Sequence, residues 1–188
     1  MNMVKIGNNS FIPMPMSIVG TKLGGKENFM AVGWITRANA RPPMLAACIG
    51  RNHATHDGIL ETDSFSVNIP GKDLMVPADY VGIVSGSKTD KSGVFEVFYG
   101  ELPGAPLIKS AAACFECRLV QTAQLPSNTV FIGEITGAWC RESILAGKGP
   151  DYRAAGAFFL TMPDNRYWSF GEELGKAWSV GNNYDTSK

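Results

Sequence analysis

Met16-Ser17-Ile18-Val19-Gly20-Thr21-Lys22 is followed by Leu23, the pair Gly24-Gly25, and the return run Asn28-Phe29-Met30-Ala31-Val32-Gly33-Trp34. Two apolar runs of strand length separated by adjacent glycines read as a β-hairpin, because glycine enters the turn conformations that match the twist of paired strands. Downstream, Thr36 to Arg41 is a polar loop, closed by Pro42-Pro43, which cannot sit inside a central strand. Met44 to Gly50 (MLAACIG) is a continuous apolar run of strand length. Arg51-Asn52-His53-Ala54-Thr55 is a polar turn, with Thr55 placed to cap a short helix ending near Asp63.

Farther along, Phe65, Val67 and Ile69 share one face of a strand and Ser66 and Asn68 the other, until Pro70 stops it. Leu74, Val81 and Val84 mark a helix over Asp73 to Val84, weakened by Pro77. Ser85 to Gly93 (SGSKTDKSG) is a polar loop. Ala113 to Ala123 and Thr129 to Cys140 are strands joined through Leu125-Pro126-Ser127-Asn128 as a second hairpin. Asp164 to Gly181 carries the late aromatics Tyr167, Trp168 and Trp178.

The 188 residues include 21 Gly and 11 Pro spread along the whole chain, which argues for many short strands with turns rather than a helix bundle. With 45% hydrophobic and 18% charged residues the composition is globular. There is no internal repeat and no linker, so residues 1–188 are read as one domain with a core over about 11–181. The expected class is mostly β: a β-barrel with flanking helices. A formal net charge of zero gives no reason to expect nucleic acid as a partner, and no apolar run reaches membrane-spanning length. Four cysteines make no disulfide framework and are read as thiols of a cytoplasmic protein.

Several motifs imitate chemistry. Gly20-x-x-x-x-Gly25-Lys26 resembles a phosphate loop, but Glu27 stands where a Ser or Thr would hold magnesium, and strand follows instead of helix. No Gly-x-Gly-x-x-Gly supports a nicotinamide Rossmann site. Cys114-x-x-Cys117 falls on a strand, where the two thiols face opposite ways, so buried structural cysteines are the better reading. His53-x-x-His56 lacks the further ligands a metal would need. The polar loops Thr36 to Arg41, Arg51 to Thr55 and Ser85 to Lys91 are ordinary surface turns on composition alone. The sharper alternative is an anion site: Arg51, His53, Thr55, Ser85, Lys88 and Lys91 supply donors for a phosphate beside a helix N-terminus.

Taken in order, Ser17-Ile18-Val19-Gly20, Asn28 to Asn39, Phe65-Ser66-Val67-Asn68-Ile69-Pro70, Val84-Ser85-Gly86, Asp90-Lys91-Ser92-Gly93 and Leu160 to Trp168 resemble the flavin-reductase-like FMN-binding split-barrel family, within it the flavoredoxin branch. The resemblance implies a six-stranded Greek-key barrel with FMN near the interface of a homodimer. It places Asn28, Met30, Val32 and Trp34 beside the isoalloxazine, and Thr36, Arg37, Ala38 and Asn39 at the ring edge. Arg51, Asn52, His53 and Thr55 form the phosphate turn. Ser66 and Asn68 lie beside the flavin, Ser85, Gly86, Lys88 and Lys91 form a second phosphate wall, and Tyr167 and Trp168 cover the ring. No catalytic residue and no metal ligand is expected, since the flavin itself carries the hydride. The implied function is an oxidoreductase using NADH or NADPH to reduce flavin. The alternative is an FMN electron carrier working with a redox protein partner. A third reading, a barrel that has lost its flavin, is opposed by the presence of Asn28, Thr36, Arg51 and Lys91.

Overall fold

The structure is a computed structural model that describes residues 1–185. Its elements are β1 (Met14–Pro15), β2 (Ser17–Leu23), β3 (Lys26–Val32), β4 (Ile35–Asn39), β5 (Met44–Gly50), α1 (Ala54–Thr62), β6 (Ser64–Ile69), α2 (Met75–Ile83), β7 (Val97–Phe98), β8 (Leu107–Ile108), β9 (Ala113–Gln124), β10 (Asn128–Cys140), β11 (Leu145–Ala146), β12 (Gly149–Pro150), β13 (Phe158–Thr161) and β14 (Arg166–Ser169). Short 3-10 turns cover Lys72–Leu74, Glu142–Ile144 and Val180–Asn183.

The opening hairpin forms around Gly24 and Gly25, both at positive φ (56° and 80°), with Leu23 paired to Lys26 and Ser17 to Val32. The Gly24 N–H donates to the Glu61 carboxylate of α1 at 3.2 Å. That bond ties α1 to the hairpin turn, and α1 packs against β2.

Seven strands form the main sheet in the order β3-β2-β6-β9-β10-β5-β4, with every ladder antiparallel. The sheet curls into a barrel whose edges, β3 and β4, share no ladder; it is split rather than closed. The chain crosses between these edges at Gly33-Trp34, where the Cys48 N–H donates to the Trp34 carbonyl at 2.9 Å. Val19, Val32, Ala47, Ile49, Phe65, Val67, Cys117 and Phe131 fill the interior. A second core lies outside the sheet, where α2 places Ala78 and Val81 on Ile18, Phe29, Phe95, Leu107 and Ile108. Phe29, Phe65 and Phe131 are fully buried, and burying each such side chain contributes about 1.5–3 kcal/mol. A three-stranded sheet, β1-β13-β14, covers one end of the barrel.

The mostly β barrel with flanking helices is as the sequence implies, with two local corrections. Thr36 to Asn39, expected as part of the polar loop Thr36 to Arg41, belongs to the strand Ile35–Asn39, so the hydrogen-bonded sheet has seven strands, not six. An edge strand with exposed Thr36, Arg37, Ala38 and Asn39 has the composition of a loop; charge and polarity on an edge are how sheets avoid pairing with other chains. Thr55 is not the cap of α1: His53 holds the capping position and Thr55 lies in the first turn. Pro77 is accommodated because it falls in the first turn of α2, where its missing N–H would have no helical acceptor.

Among the described residues no helix is long and apolar enough to cross a membrane. Cys114 sits in the outer core and Cys117 in the interior core, on opposite faces of β9. Burial pushes both thiols up to about 12.

Candidate functional site

The site begins where β5 ends. The chain turns at Gly50 to Thr55, with the His53 N–H donating to the Gly50 carbonyl at 3.1 Å and the His56 N–H to the His53 carbonyl at 2.9 Å. His53 is extended and places no side-chain acceptor on the helix end. The N–H groups of Ala54 and Thr55, the first two of α1, therefore stand open among the described residues, at the positive end of the helix dipole.

Beside them, Asn28 of β3 donates through Nδ2 to Thr55 Oγ1 at 2.8 Å. Asn28 is 5% exposed and Thr55 2% exposed. Thr55 accepts here, so its own proton is available to a ligand. Asn28 Oδ1 is buried without a hydrogen-bond partner among the described residues. Such an orphan costs about 1–3 kcal/mol, and it is the kind of exception that marks a ligand position. Gly86 completes the cradle, since a Cβ there would stand 2.1 Å from Asn28 Oδ1 and 3.1 Å from Ala54 Cβ. Only glycine lets these three segments meet.

Lys91 is the cation of the site. It is 4% exposed, and its ammonium donates to the carbonyls of Phe29 and Val81, both at 2.9 Å. Among the described residues no carboxylate is bonded to it. Burial holds its pKa below the usual lysine value. Lys91 lines one small cleft together with Met30, His53, Ala54, Thr55, Val81, Gly82, Val84, Ser85 and Gly86. An adjoining polar pocket shares Asn28, Gly86 and Lys91 and adds Lys88, Lys26 and Asp90.

A second, apolar part lies on the outer face of the barrel. A groove of about 850 Å³ is lined by Gly33, Trp34, Ile35, Thr36, Ala46, Cys48, Val130 and the segment Ser10 to Pro15. Trp34 is half exposed there and lies 6.3 Å from Phe11, ring to ring. From Met30, at the polar cleft, to Trp34 the chain advances about 13 Å at extended spacing.

The donor set fits a polyol phosphate carrying a flat ring, which is the build of FMN. Open helix N–H groups, the Thr55 proton and the Lys91 ammonium suit a phosphate. The orphan Asn28 oxygen requires a donor, which a ribityl hydroxyl provides. The groove at Trp34 and Thr36 offers an apolar face beside backbone polar groups.

Of the residues expected from sequence, the structure brings Asn28, Met30, His53, Thr55, Ser85, Gly86, Lys88 and Lys91 together at the two joined clefts. Trp34 and Thr36 line the groove, with Arg37, Ala38 and Asn39 following along exposed β4. Asn52 is exposed in the turn; Arg51 is exposed too, and its guanidinium donates to Gln124 at 3.4 Å.

Others lie elsewhere. Val32 faces the barrel interior. Ser66 and Asn68 are fully buried under the segment around Pro106: Ser66 donates to the Pro106 carbonyl, while Asn68 donates to the Ile18 carbonyl and accepts from the Ile108 N–H. Their polar groups are consumed in holding that segment to β6. Tyr167 donates to Asp79 and Trp168 to Thr161, and neither lines the clefts or the groove of its own chain. Ala54, Val81, Gly82 and Val84 were not legible as site residues, because apolar side chains at a helix end carry no chemical signature.

His56 is held by Thr129 and Asp57, each at 3.1 Å. Among the described residues no group of three or more His, Cys, Asp or Glu side chains is placed to hold a metal.

The flavin reductase like domain family matches residues 9–156. The crystal structure of a flavoredoxin from Methanosarcina acetivorans is 47% identical, with a TM-score of 0.94 over 96% of this chain and 98% of that one. A flavoredoxin of Desulfovibrio vulgaris (Miyazaki F) is 30% identical, with a TM-score of 0.87 over 96% of this chain and all of its own. An NADH-dependent FAD reductase from Streptomyces globisporus is 26% identical over 74% of this chain and 79% of its own length. Fold, extent of match and sequence identity agree: the chain belongs to the flavin reductase like domain family, in its flavoredoxin branch.

Proposed function

We propose that this chain binds FMN along the β3 edge and transfers electrons through it, as an NAD(P)H-dependent flavin reductase. The observation that carries the reading is the convergence of Asn28, Thr55, Gly86 and Lys91 at the open end of α1. Thr55, the first-turn N–H groups and Lys91 hold the phosphate, Asn28 Oδ1 accepts from a ribityl hydroxyl, and Trp34 and Thr36 flank the ring. FMN supplies hydride acceptance from NADH or NADPH and onward release of electrons. The protein's part is to position the ring, exclude water from one face and set its electrostatics.

A second reading is favoured by the extent of similarity to the two flavoredoxins: an FMN electron carrier fed by a redox protein. In either case we infer a homodimer. Leu174 is 97% exposed and Trp178 100%, and apolar side chains so bare on one chain are suited to burial against a second copy. Sedimentation at micromolar concentration tests this, and a monomer would remove it.

The two functional readings separate in one anaerobic experiment. A flavin spectrum that bleaches within seconds of adding NADH or NADPH supports the reductase. A spectrum that persists with both but bleaches with dithionite supports the carrier, and a protein that stays colourless in excess FMN removes both.

A further inference from the structure

The barrel has a cavity at the end away from α1, of about 500 Å³. This lies within the range of small-molecule sites, and the mouths of β-barrels are one of the places where such sites occur. Its walls are inward-facing Leu45, Val67 and Phe115, whereas the groove at Trp34 uses the outward-facing Ala46, Cys48 and Val130. β4 and the end of β1 separate the two spaces, and Pro15, Ile35 and Thr36 line both.

Aromatic rings roof the cavity. Phe159 and Phe170 stand edge to face, 4.8 Å between centroids, and Tyr152 joins them. Burial pushes the Tyr152 phenol above its ordinary pKa, with Cys140 close enough to raise it further. Arg37 also lines the cavity, and its Nε donates to the Asn39 carbonyl at 2.9 Å. An apolar chamber with aromatic walls, lined also by a phenol and a guanidinium, suits a planar ring that carries an anionic group.

We propose that this barrel-end cavity is a second small-molecule site, separate from the flavin groove, that takes an aromatic carboxylate of one or two rings. The proposal does not depend on the flavin reading, because Leu45, Val67 and Phe115 face the barrel interior and do not line the flavin groove.

Titration of the purified full chain, saturated with FMN, with 2-naphthoate in a calorimeter tests it. The expected result is saturable binding of one naphthoate per chain, unchanged by further FMN. Tyr152→Phe should weaken it about tenfold. Leu45→Phe, which fills the cavity, should abolish it while leaving FMN affinity unchanged. Heat that does not saturate at millimolar naphthoate, or naphthoate displaced by FMN, would overturn the proposal. So would equal binding by wild type and both variants, each shown to be folded by circular dichroism.

Discussion

Asn28 and Thr55 stand 27 residues apart in the chain and are joined by a 2.8 Å hydrogen bond that ties the free edge of the barrel to the first turn of α1. The bond is buried, and it leaves one orphan acceptor, Asn28 Oδ1, at the place where the turn after α2 brings Gly86. Strand, helix and turn thus meet at a point that is complete only with a donor supplied from outside.

Thr55→Val removes the hydroxyl and leaves the Asn28 amide without its acceptor. Loss of one buried hydrogen bond, with a donor left unsatisfied, should lower the stability of the flavin-free protein by about 1–3 kcal/mol. FMN affinity should fall about tenfold more, read by fluorescence titration. Unchanged affinity would take Thr55 out of the phosphate site.

Gly86→Ala places a methyl group 2.1 Å from Asn28 Oδ1. Asn28 must then move, and the cradle closes. FMN affinity should drop at least tenfold, with circular dichroism unaltered. A variant that binds FMN as wild type does would show that the ligand lies elsewhere.

Lys91 gives a pH signature. Burial lowers its pKa, so the folded, flavin-free protein disfavours the charged form. The flavin-free protein should therefore gain stability as pH rises from the lowered Lys91 pKa toward the usual lysine value. A phosphate dianion beside the ammonium has the opposite effect and raises the pKa. FMN affinity should be full below the pKa of Lys91 in the free protein and decline as pH rises through it. Lys91→Met should bind FMN more weakly at neutral pH and show a flatter profile; an identical slope would assign the titration to another group.

Glu116 makes a prediction about the frame rather than the site. Its fully buried carboxylate accepts from the N–H groups of Glu101 and Leu102 and from the Thr136 hydroxyl at 2.8–3.2 Å. Glu116→Ala leaves the two N–H donors unmet and the Thr136 hydroxyl with only its 3.4 Å contact to the backbone carbonyl of position 116, and should cost about 3 kcal/mol. For a chain of this size that is roughly 6–12 °C in Tm.

Thiol labelling follows burial. Cys48 and Cys140 are partly exposed, whereas Cys114 and Cys117 are buried with thiols pushed up to about 12. Two thiols per native chain should react with a disulfide reagent at neutral pH and four after denaturation. Rapid labelling of all four would contradict the packing of β9.

The hairpin was legible because Gly24-Gly25 between apolar runs has one good solution. The α1 turn was legible because Arg51 to Thr55 concentrates donors after an apolar strand. β4 was not, since an exposed edge strand obeys no inside–outside alternation strong enough to read. For Ser66 and Asn68, alternation gives the polar face of β6 but does not say that the segment around Pro106 covers that face. The orphan oxygen of Asn28 and the two carbonyls around Lys91 depend on contacts between distant segments, so no local pattern announces them.

The central claim is that the end of α1 holds a phosphate, and calorimetric titration with FMN and with riboflavin, side by side, tests it most directly. Two charge-assisted hydrogen bonds at about 1.5 kcal/mol each predict FMN binding at least about a hundredfold tighter than riboflavin. Equal affinities for the two would mean that nothing at Thr55, Gly86 and Lys91 grips the phosphate, and the account would fail.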